Sequence, residues 1–180
     1  MKGLGTLMLK QVIAIGSLVA LAACGGAESD SGNRAPFAPT VSPDDLSVLV
    51  GDDWQGELTY LDYGDNETET ALPVNLLVGQ NDRTFELHFT FPDEPQANGR
   101  AEITISEDGR QLNDETLVRR LEDGSALMLV THQACDDNGV NGDCEFTYMI
   151  AHDAFSITKM VTPEGSDAAY RRNHYLFTRS

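Results

Sequence analysis

The chain has 180 residues, of which 29 are acidic and only 12 are lysine or arginine, and its formal net charge is −17. This length supports one modest domain with a hydrophobic core of its own. So acidic a chain is unsuited to nucleic acid, which rewards clustered lysine and arginine, and it is repelled by anionic membrane surfaces. Composition therefore excludes nucleic acid as a partner and indicates that charge alone would not hold the protein on a membrane.

The first 25 residues form a pattern typical of an export signal. A basic start precedes an apolar run over 12–23, which is shorter than the roughly 18–20 residues that cross a bilayer. The sequence Leu21-Ala22-Ala23-Cys24 then resembles the lipobox of bacterial lipoproteins, with leucine, two small residues and cysteine in place. That resemblance implies cleavage before Cys24, lipidation of its thiol and acylation of its amino group by a fatty acid such as palmitate.

The same resemblance implies a location and a domain organisation. Gly25 follows the cysteine, where an aspartate would mark retention in the inner membrane, so the outer membrane is implied, with the domain facing the periplasm or the cell surface. We expect a signal peptide at 1–23 and a flexible tether at 24–42, because the tether is rich in Gly, Ser, Ala and Pro. A folded domain follows at 43–180.

The domain opens with signals for a short helix. Ser42 can cap a helix, Pro43 suits its first position, and the two aspartates that follow favour the positive end of the helix dipole. Gly51 is the expected stop of this helix. The sequence therefore predicts a helix over 43–50, and no longer stretch with helical period follows it.

The rest of the domain alternates apolar and polar residues with period two, which is typical of half-buried strands. The segment over 83–91 is the clearest, because phenylalanine and leucine occupy every second position. Turn signals such as Asn98-Gly99 and Asp123-Gly124 separate the segments, and no crossover helix lies between them. Nine strands are predicted, over residues 54–63, 72–78, 83–91, 100–106, 115–121, 125–134, 144–152, 154–161 and 169–179.

This pattern predicts an all-β domain built as an antiparallel meander. A long meander removes its exposed edges when it closes on itself, so we predict an up-and-down β-barrel with a short N-terminal helix. A two-sheet β-sandwich is the alternative.

The entrance to the first strand resembles that of lipocalin-like (calycin) barrels. A short helix precedes Gly51-Asp52-Asp53-Trp54, where the family has Gly-x-Trp, so the spacing here is one residue longer. The resemblance implies that an arginine on the last strand packs over the indole of Trp54. Arg171 is the first candidate, with Arg172 and Arg179 as alternatives.

The cysteines agree with an oxidising compartment. If Cys24 is lipidated, Cys135 and Cys144 remain as an even pair. We predict a structural disulfide between them. The rival interpretation, a thiol redox pair, usually needs Cys-x-x-Cys, and here eight residues intervene.

The loop between these cysteines has a calcium-like composition. Asp136, Asn138 and Asp143 are oxygen donors, but the register of an EF-hand fails because Val140 stands where a ligand is required. No metal or other cofactor is predicted, and a calcium site of another kind at these three residues is kept as an alternative to a plain acidic hairpin.

No catalytic motif is present, and the four histidines fall on four predicted strands. His132 and His152 near the cysteine loop, with Asp153 or Asp136, are candidates for a transition-metal cluster. A hydrolase-type enzyme is therefore the least favoured function.

Two non-enzymatic functions are better supported by the predicted barrel. The first is a binding module for a small apolar or amphipathic ligand, because barrels of this size have room for one. The second is an envelope protein that binds another protein or assists its assembly. The predicted lining of a ligand cavity comes from the apolar faces of three strands: Leu58, Tyr60, Phe85, Leu87, Phe89, Met128 and Val130.

Overall fold

The computed structural model describes residues 38–179, and the predicted signal peptide at 1–23 and Cys24 lie outside this part. Ten strands dominate it. They are β1 Gly51–Leu61, β2 Glu69–Asn81, β3 Thr84–Thr90, β4 Gly99–Thr104, β5 Gln111–Leu112, β6 Glu115–Asp123, β7 Ala126–Asp137, β8 Val140–Ile150, β9 Ala154–Pro163 and β10 Tyr170–Thr178.

The strands form an up-and-down barrel, as predicted. Each is antiparallel to its neighbour in the chain, and β1 also pairs with β10 at six positions, from Gln55 with Thr178 to Tyr60 with Asn173. Strand pairing around the ring is weakest between β4 and β5, where it is reduced to an isolated bridge between Ile105, the residue after β4, and Leu112 on β5. The tenth strand, missing from the nine predicted, is the two-residue β5.

The helix lies where it was predicted but is shorter. α1 covers Pro43–Leu46 and continues as a 3-10 turn over Ser47–Leu49. The Asp45 carboxylate accepts hydrogen bonds from the backbone N–H and the hydroxyl of Ser42, at 2.7 and 3.0 Å, and so fixes the start of the helix. Leu46 and Leu49 are buried and cover one end of the barrel, which we call the base.

The folded domain begins slightly before residue 43. Val41 is buried in the core, and its N–H donates to the Gly109 carbonyl at 2.8 Å. The last residues of the predicted tether are therefore part of the domain.

The half of the barrel interior nearer the base is packed with apolar side chains. Phe85 and Leu87, predicted to line a ligand cavity, are fully buried in this core instead. Gly56 has no side chain, but this does not create a cavity. A Cβ atom on it would lie 1.9 Å from the Leu176 carbonyl oxygen of β10, so the neighbouring strand already fills that space. The lack of a side chain on Gly56 lets β1 and β10 approach each other closely. The core includes Trp54, Val74, Leu76, Val78, Phe85, Leu87, Ile103, Leu129, Ile150, Phe155 and Phe177.

The prediction that Met128 and Val130 face the interior is wrong. Leu127 and Leu129 belong to the core cluster, so Met128 and Val130, which alternate with them on β7, occupy the outer face, although Val130 is buried there. The sequence did not determine the register because this strand is apolar on both faces.

Met128 belongs to an apolar row that runs around the outside of the wall. Direct cross-strand pairing joins it to Leu121 on β6 and to Met149 on β8, and the row continues through Ser156 on β9 to Leu176 on β10. Leu121, Met149 and Leu176 are 52, 41 and 48% exposed. We call these five residues the outer row.

Candidate functional site

A pocket of about 280 Å³ opens at the end of the barrel opposite α1, which we call the mouth. Leu58 and Tyr60, both predicted to line a ligand site, are part of its wall. This mouth pocket is lined by Leu58, Tyr60, Tyr63, Leu72, Phe91, Glu94, Ala97, Asn173 and Tyr175.

Three neighbouring strands supply most of the wall. Leu58 on β1 lies directly opposite Leu72 on β2 and Tyr175 on β10, and Tyr60 lies opposite Asn173 one step nearer the mouth. Because alternate residues of a strand point to the same face, β1 and β10 each contribute a pair of side chains to the pocket.

Aromatic rings form the layer beneath the pocket. The Phe89 ring lies 5.1 Å from the Tyr175 ring, centre to centre, and 6.3 Å from that of Phe177. Phe89 was predicted to line the ligand site, and the structure places it against Tyr175, which does line it. The signal for Tyr175 was present in the sequence, since it alternates with Phe177 on the last strand.

A buried ion-pair network stands beside the pocket, and sequence reasoning missed it. Arg172 and Asp137 are 1 and 2% exposed. The Asp137 carboxylate accepts hydrogen bonds from Arg172 Nε at 2.6 Å, from Lys159 Nζ at 2.9 Å and from the Tyr170 hydroxyl at 3.0 Å. Burial alone would raise the pKa of the Asp137 carboxyl, but these three donors outweigh it, so its pKa lies below the usual value.

Arg172 also contacts the β1–β2 loop and holds it against the barrel. It donates to the Leu61 carbonyl at 3.2 Å and to the Asn66 side chain at 2.8 Å. Its guanidinium lies 4.5 Å from the centre of the Tyr63 ring and 5.1 Å from that of Tyr170. Because Tyr63 lines the mouth pocket, the network holds one wall of that pocket in place.

A second buried polar cluster joins β6, β7 and β8. Glu115 accepts hydrogen bonds from the Thr131 hydroxyl and, at 2.8 Å, from the Tyr148 hydroxyl. Burial raises the pKa of the Glu115 carboxyl, and the two hydrogen bonds only partly oppose this effect. Burial and the adjacent Glu115 also raise the pKa of Tyr148 well above its usual value. Nothing in the local sequence marks Glu115 as buried.

An arginine does pack over Trp54, as the calycin resemblance implied, but it is Arg179 rather than Arg171. The guanidinium of Arg179 lies 4.3 Å from the centre of the indole ring. Arg171 is exposed and pairs with Glu69 at 2.6 Å on the other end of the strand. Trp54 lies near the start of β1, at the base, and the antiparallel β10 reaches the base only at its C-terminal end. The partner must therefore come from that end.

The predicted disulfide is present between Cys135 on β7 and Cys144 on β8, with 5.8 Å between their Cα atoms. In the loop that it spans, Asp136 accepts a hydrogen bond from the Gly139 N–H, and the Asn138 side chain donates to the Tyr63 carbonyl. Asp136 and Asp143 border one shallow depression of the surface. Across residues 38–179 no three His, Cys, Asp or Glu side chains lie close enough to hold a metal ion.

The histidines do not share a site. His132 bonds Glu145 at 2.9 Å, His174 bonds Thr158 at 2.8 Å, and His88 lies 3.8 Å from Glu86 on the outer face of β3. His152 stands in the β8–β9 turn at the base. The weak candidate cluster of His132, His152 and an adjacent acid is therefore not assembled. In the part of the chain that the structure describes, no helix is long and apolar enough to cross a membrane.

Comparison with known proteins bears on the fold. No protein-family model matches the sequence, and no curated protein matches it significantly. Among solved structures, Rv2717c from M. tuberculosis superposes with a TM-score of 0.53 at 10% identity, covering 78% of this chain and 99% of that one. A mutant of the fluorescent protein UnaG gives a TM-score of 0.42 at 13% identity, covering 75% of this chain and 98% of that one. The chain thus shares the overall fold of Rv2717c.

Proposed function

We propose that the protein is a non-enzymatic binding module that takes a small apolar or amphipathic ligand at the barrel mouth and is anchored to a bacterial membrane through lipidated Cys24. The observation that carries the proposal is the mouth pocket, a concave site lined by apolar and aromatic side chains with a few polar groups. Binding sites for small molecules have this composition.

The two halves of the barrel differ in a way that favours the mouth. The half of the barrel near the base is closed by α1 and filled with buried apolar side chains. Toward the mouth, several inward-facing apolar side chains are only partly buried. A ligand that covers them gains free energy from the apolar area it removes from water. Apart from Val48 in the 3-10 turn at the base, the partly buried apolar residues packed against the core are Leu58, Leu72, Phe89, Phe146, Ile157 and Tyr175.

The pocket size and its polar groups restrict the ligand. About 280 Å³ is close to the lower end of the usual range for ligand sites, so the pocket suits a small molecule or one end of a longer chain. The Asn173 amide and the tyrosine hydroxyls can bond a polar group, while Leu58 and Leu72 contact an apolar one. An amphipathic ligand uses both.

The lipid anchor is supported by the lipobox alone. An outer-membrane location, with the domain facing the periplasm or the cell surface, follows from Gly25 after the lipobox.

Thermal unfolding with a ligand panel tests the binding function. The full chain carrying Cys24→Ser is mixed with fatty acids, isoprenoid alcohols, alkylammonium compounds and haem-like compounds. A ligand that binds the folded state raises the melting temperature, and the stabilisation grows with the logarithm of the ligand concentration over its dissociation constant. We expect Ala97→Trp, which fills the pocket, to abolish the shift, and Ala71→Trp on the exposed face of β2 to retain it. If no compound produces a shift, the mouth pocket is not the functional site.

The outer row favours a second candidate, the binding of another envelope protein. It exposes leucine and methionine side chains on a protein whose surface is otherwise strongly acidic, and Glu57 lies directly beside Leu176 at its end. A fitting partner would present an apolar surface bordered by basic residues. A photo-crosslinker at Met149 tests this candidate against one at Glu102 on the far side of the barrel. An identified adduct that is specific to Met149 and lost in Leu176→Lys would favour it.

A further inference from the structure

We propose that the ligand of the mouth pocket is an organic cation with an apolar body, such as a quaternary ammonium or a protonated amine on an alkyl chain. This proposal rests on the proposed binding function and names the ligand class for the same pocket. It is carried by the aromatic lining, by the single charge in the wall and by the engagement of the nearby cations.

The lining is rich in aromatic side chains. Four of its nine residues are aromatic, namely Tyr60, Tyr63, Phe91 and Tyr175. The faces of aromatic rings are negative, so they attract a cation placed over them, and several rings around one space form the recognised cage for quaternary ammonium groups. Leu58 and Leu72 supply an apolar surface for the rest of such a molecule.

The only formally charged side chain in the lining is an acid. Glu94, at the start of the short 3-10 helix over Pro95–Ala97, is half-buried and forms no ion pair within residues 38–179. A cation bound in the pocket would give this carboxylate its partner. An anionic headgroup at the same place would meet like charge instead.

Two cationic side chains on β9 and β10 beside the pocket are already engaged and do not offer an anion site. The guanidinium nitrogens of Arg172 donate hydrogen bonds to the Asp137 carboxylate, the Leu61 carbonyl and the Asn66 side chain. Lys159, opposite Asn173 on β9, directs its ammonium 2.9 Å from the other Asp137 oxygen. Neither residue lines the pocket.

Arg172 itself shows that this wall accepts positive charge. Its guanidinium already lies 4.5 Å from the centre of the Tyr63 ring. The loop that carries Tyr63 adds exposed acids at Asp62, Asp65 and Glu67, which raise the local concentration of cations near the mouth. Ring faces and rim charge therefore favour the same ligand class.

Isothermal titration with three amphiphiles of equal chain length tests the ligand class. The full chain carrying Cys24→Ser is titrated with octyltrimethylammonium, octyl glucoside and octyl sulfate, all below their micelle concentrations. We expect the ammonium compound to bind roughly tenfold more tightly than the glucoside, and the sulfate to bind more weakly than both.

Two variants connect this preference to the pocket. Glu94→Gln removes the charge at nearly constant shape, so we expect roughly three- to tenfold weaker binding of octyltrimethylammonium and unchanged binding of octyl glucoside. Glu102→Gln, an exposed acid on β4 outside the pocket, serves as the matched control and should leave both affinities unchanged.

Each alternative result has a distinct meaning. Equal affinity for the ammonium compound and the glucoside overturns the cation preference and leaves the binding function standing. Tighter binding of octyl sulfate than of the ammonium compound also overturns the cation preference, and it would indicate that Lys159 binds the anionic headgroup. If a folded protein binds none of the three, the cation preference and the use of the mouth pocket both fail.

Discussion

The guanidinium of Arg179 lies 4.3 Å from the centre of the Trp54 ring and covers it at the base of the barrel. The same group donates hydrogen bonds to the Val48 carbonyl at 2.8 Å and to the His152 carbonyl at 2.7 Å. The indole N–H in turn donates to the Leu49 carbonyl at 2.8 Å. The first strand, the helical cap and the β8–β9 turn are thus all held by one residue near the end of the chain.

Replacing Arg179 should therefore destabilise the domain far more than replacing Arg171. Arg179→Met removes the contact with the indole and two charge-assisted hydrogen bonds, for a loss of roughly 2–4 kcal/mol in the free energy of unfolding. Arg171→Met, which removes only a surface ion pair, should cost about 1 kcal/mol or less. Urea unfolding of the two variants measures the difference. Equal losses would contradict the structural role of Arg179.

The Asp137 network leads to a second prediction. Asp137→Asn leaves Arg172 and Lys159 beside a neutral amide, and because Arg172 is almost completely buried, we expect a loss on the order of 3–5 kcal/mol. Asp143→Asn, an exposed change near the same end of the barrel, is the control and should lie within about 0.5 kcal/mol of the parent. A loss no larger than that of the control would show that the network is not needed for stability.

The disulfide should form in protein isolated from an oxidising compartment. Reduction, or Cys135→Ala with Cys144→Ala, opens a short loop, and the chain-entropy model gives a loss of about 2–3 kcal/mol. Alkylation of unreduced protein followed by mass spectrometry measures pairing, and calorimetry measures stability. Complete alkylation of both thiols without reductant would rule the bond out.

Glu115 should make stability depend on pH in an identifiable way. Because burial holds its pKa above the unfolded value, its contribution is fully present below about pH 4.3 and is lost as the pH rises through the folded pKa. Glu115→Gln keeps an acceptor for Thr131 and Tyr148 and removes the titration. We expect the melting temperature of the variant relative to the parent to increase from about pH 4 to about pH 8. A constant difference would show that Glu115 is not titrating as proposed.

Lipidation of Cys24 is tested by Cys24→Ser. The acyl chains are the proposed anchor, at about 0.8 kcal/mol per buried methylene, so the variant should lose its acylation and leave the membrane fraction. Cells that express either form are fractionated after a high-salt wash, and the protein in each fraction is detected by immunoblot. A variant that sediments with membranes as fully as the parent would contradict the anchor.

Period-two alternation was sufficient to predict the barrel, because most strands have one apolar and one polar face. On β3 the inward positions of Phe85 and Leu87 were unambiguous. On β7 both faces are apolar, so Met128 and Leu127 could not be distinguished until the neighbouring strands fixed the register. β5 was missed because two residues are too few to show a period.

The candidate site was only partly predictable, for a different reason. Leu58 and Tyr60 were identified because they alternate on a clear strand. Arg172 was not, because β10 has an irregular register between Arg171 and Asn173 that brings a charged residue into a buried position. The partner of Arg172, Asp137, comes from another hairpin, and contacts between distant hairpins leave no local pattern in the sequence.

Pairing of β1 with β10 also determines when the domain can fold. Gln55 pairs with Thr178, so closure of the ring joins the two ends of the domain. The chain loses the conformational entropy of that long loop before the contacts between β1 and β10 can stabilise it. While a nascent chain lacks β10, both β1 and β9 keep an open edge and Trp54 lacks its covering arginine. A chain exported through a membrane before it folds would gain from this order, because its barrel cannot close until synthesis has reached the last strand.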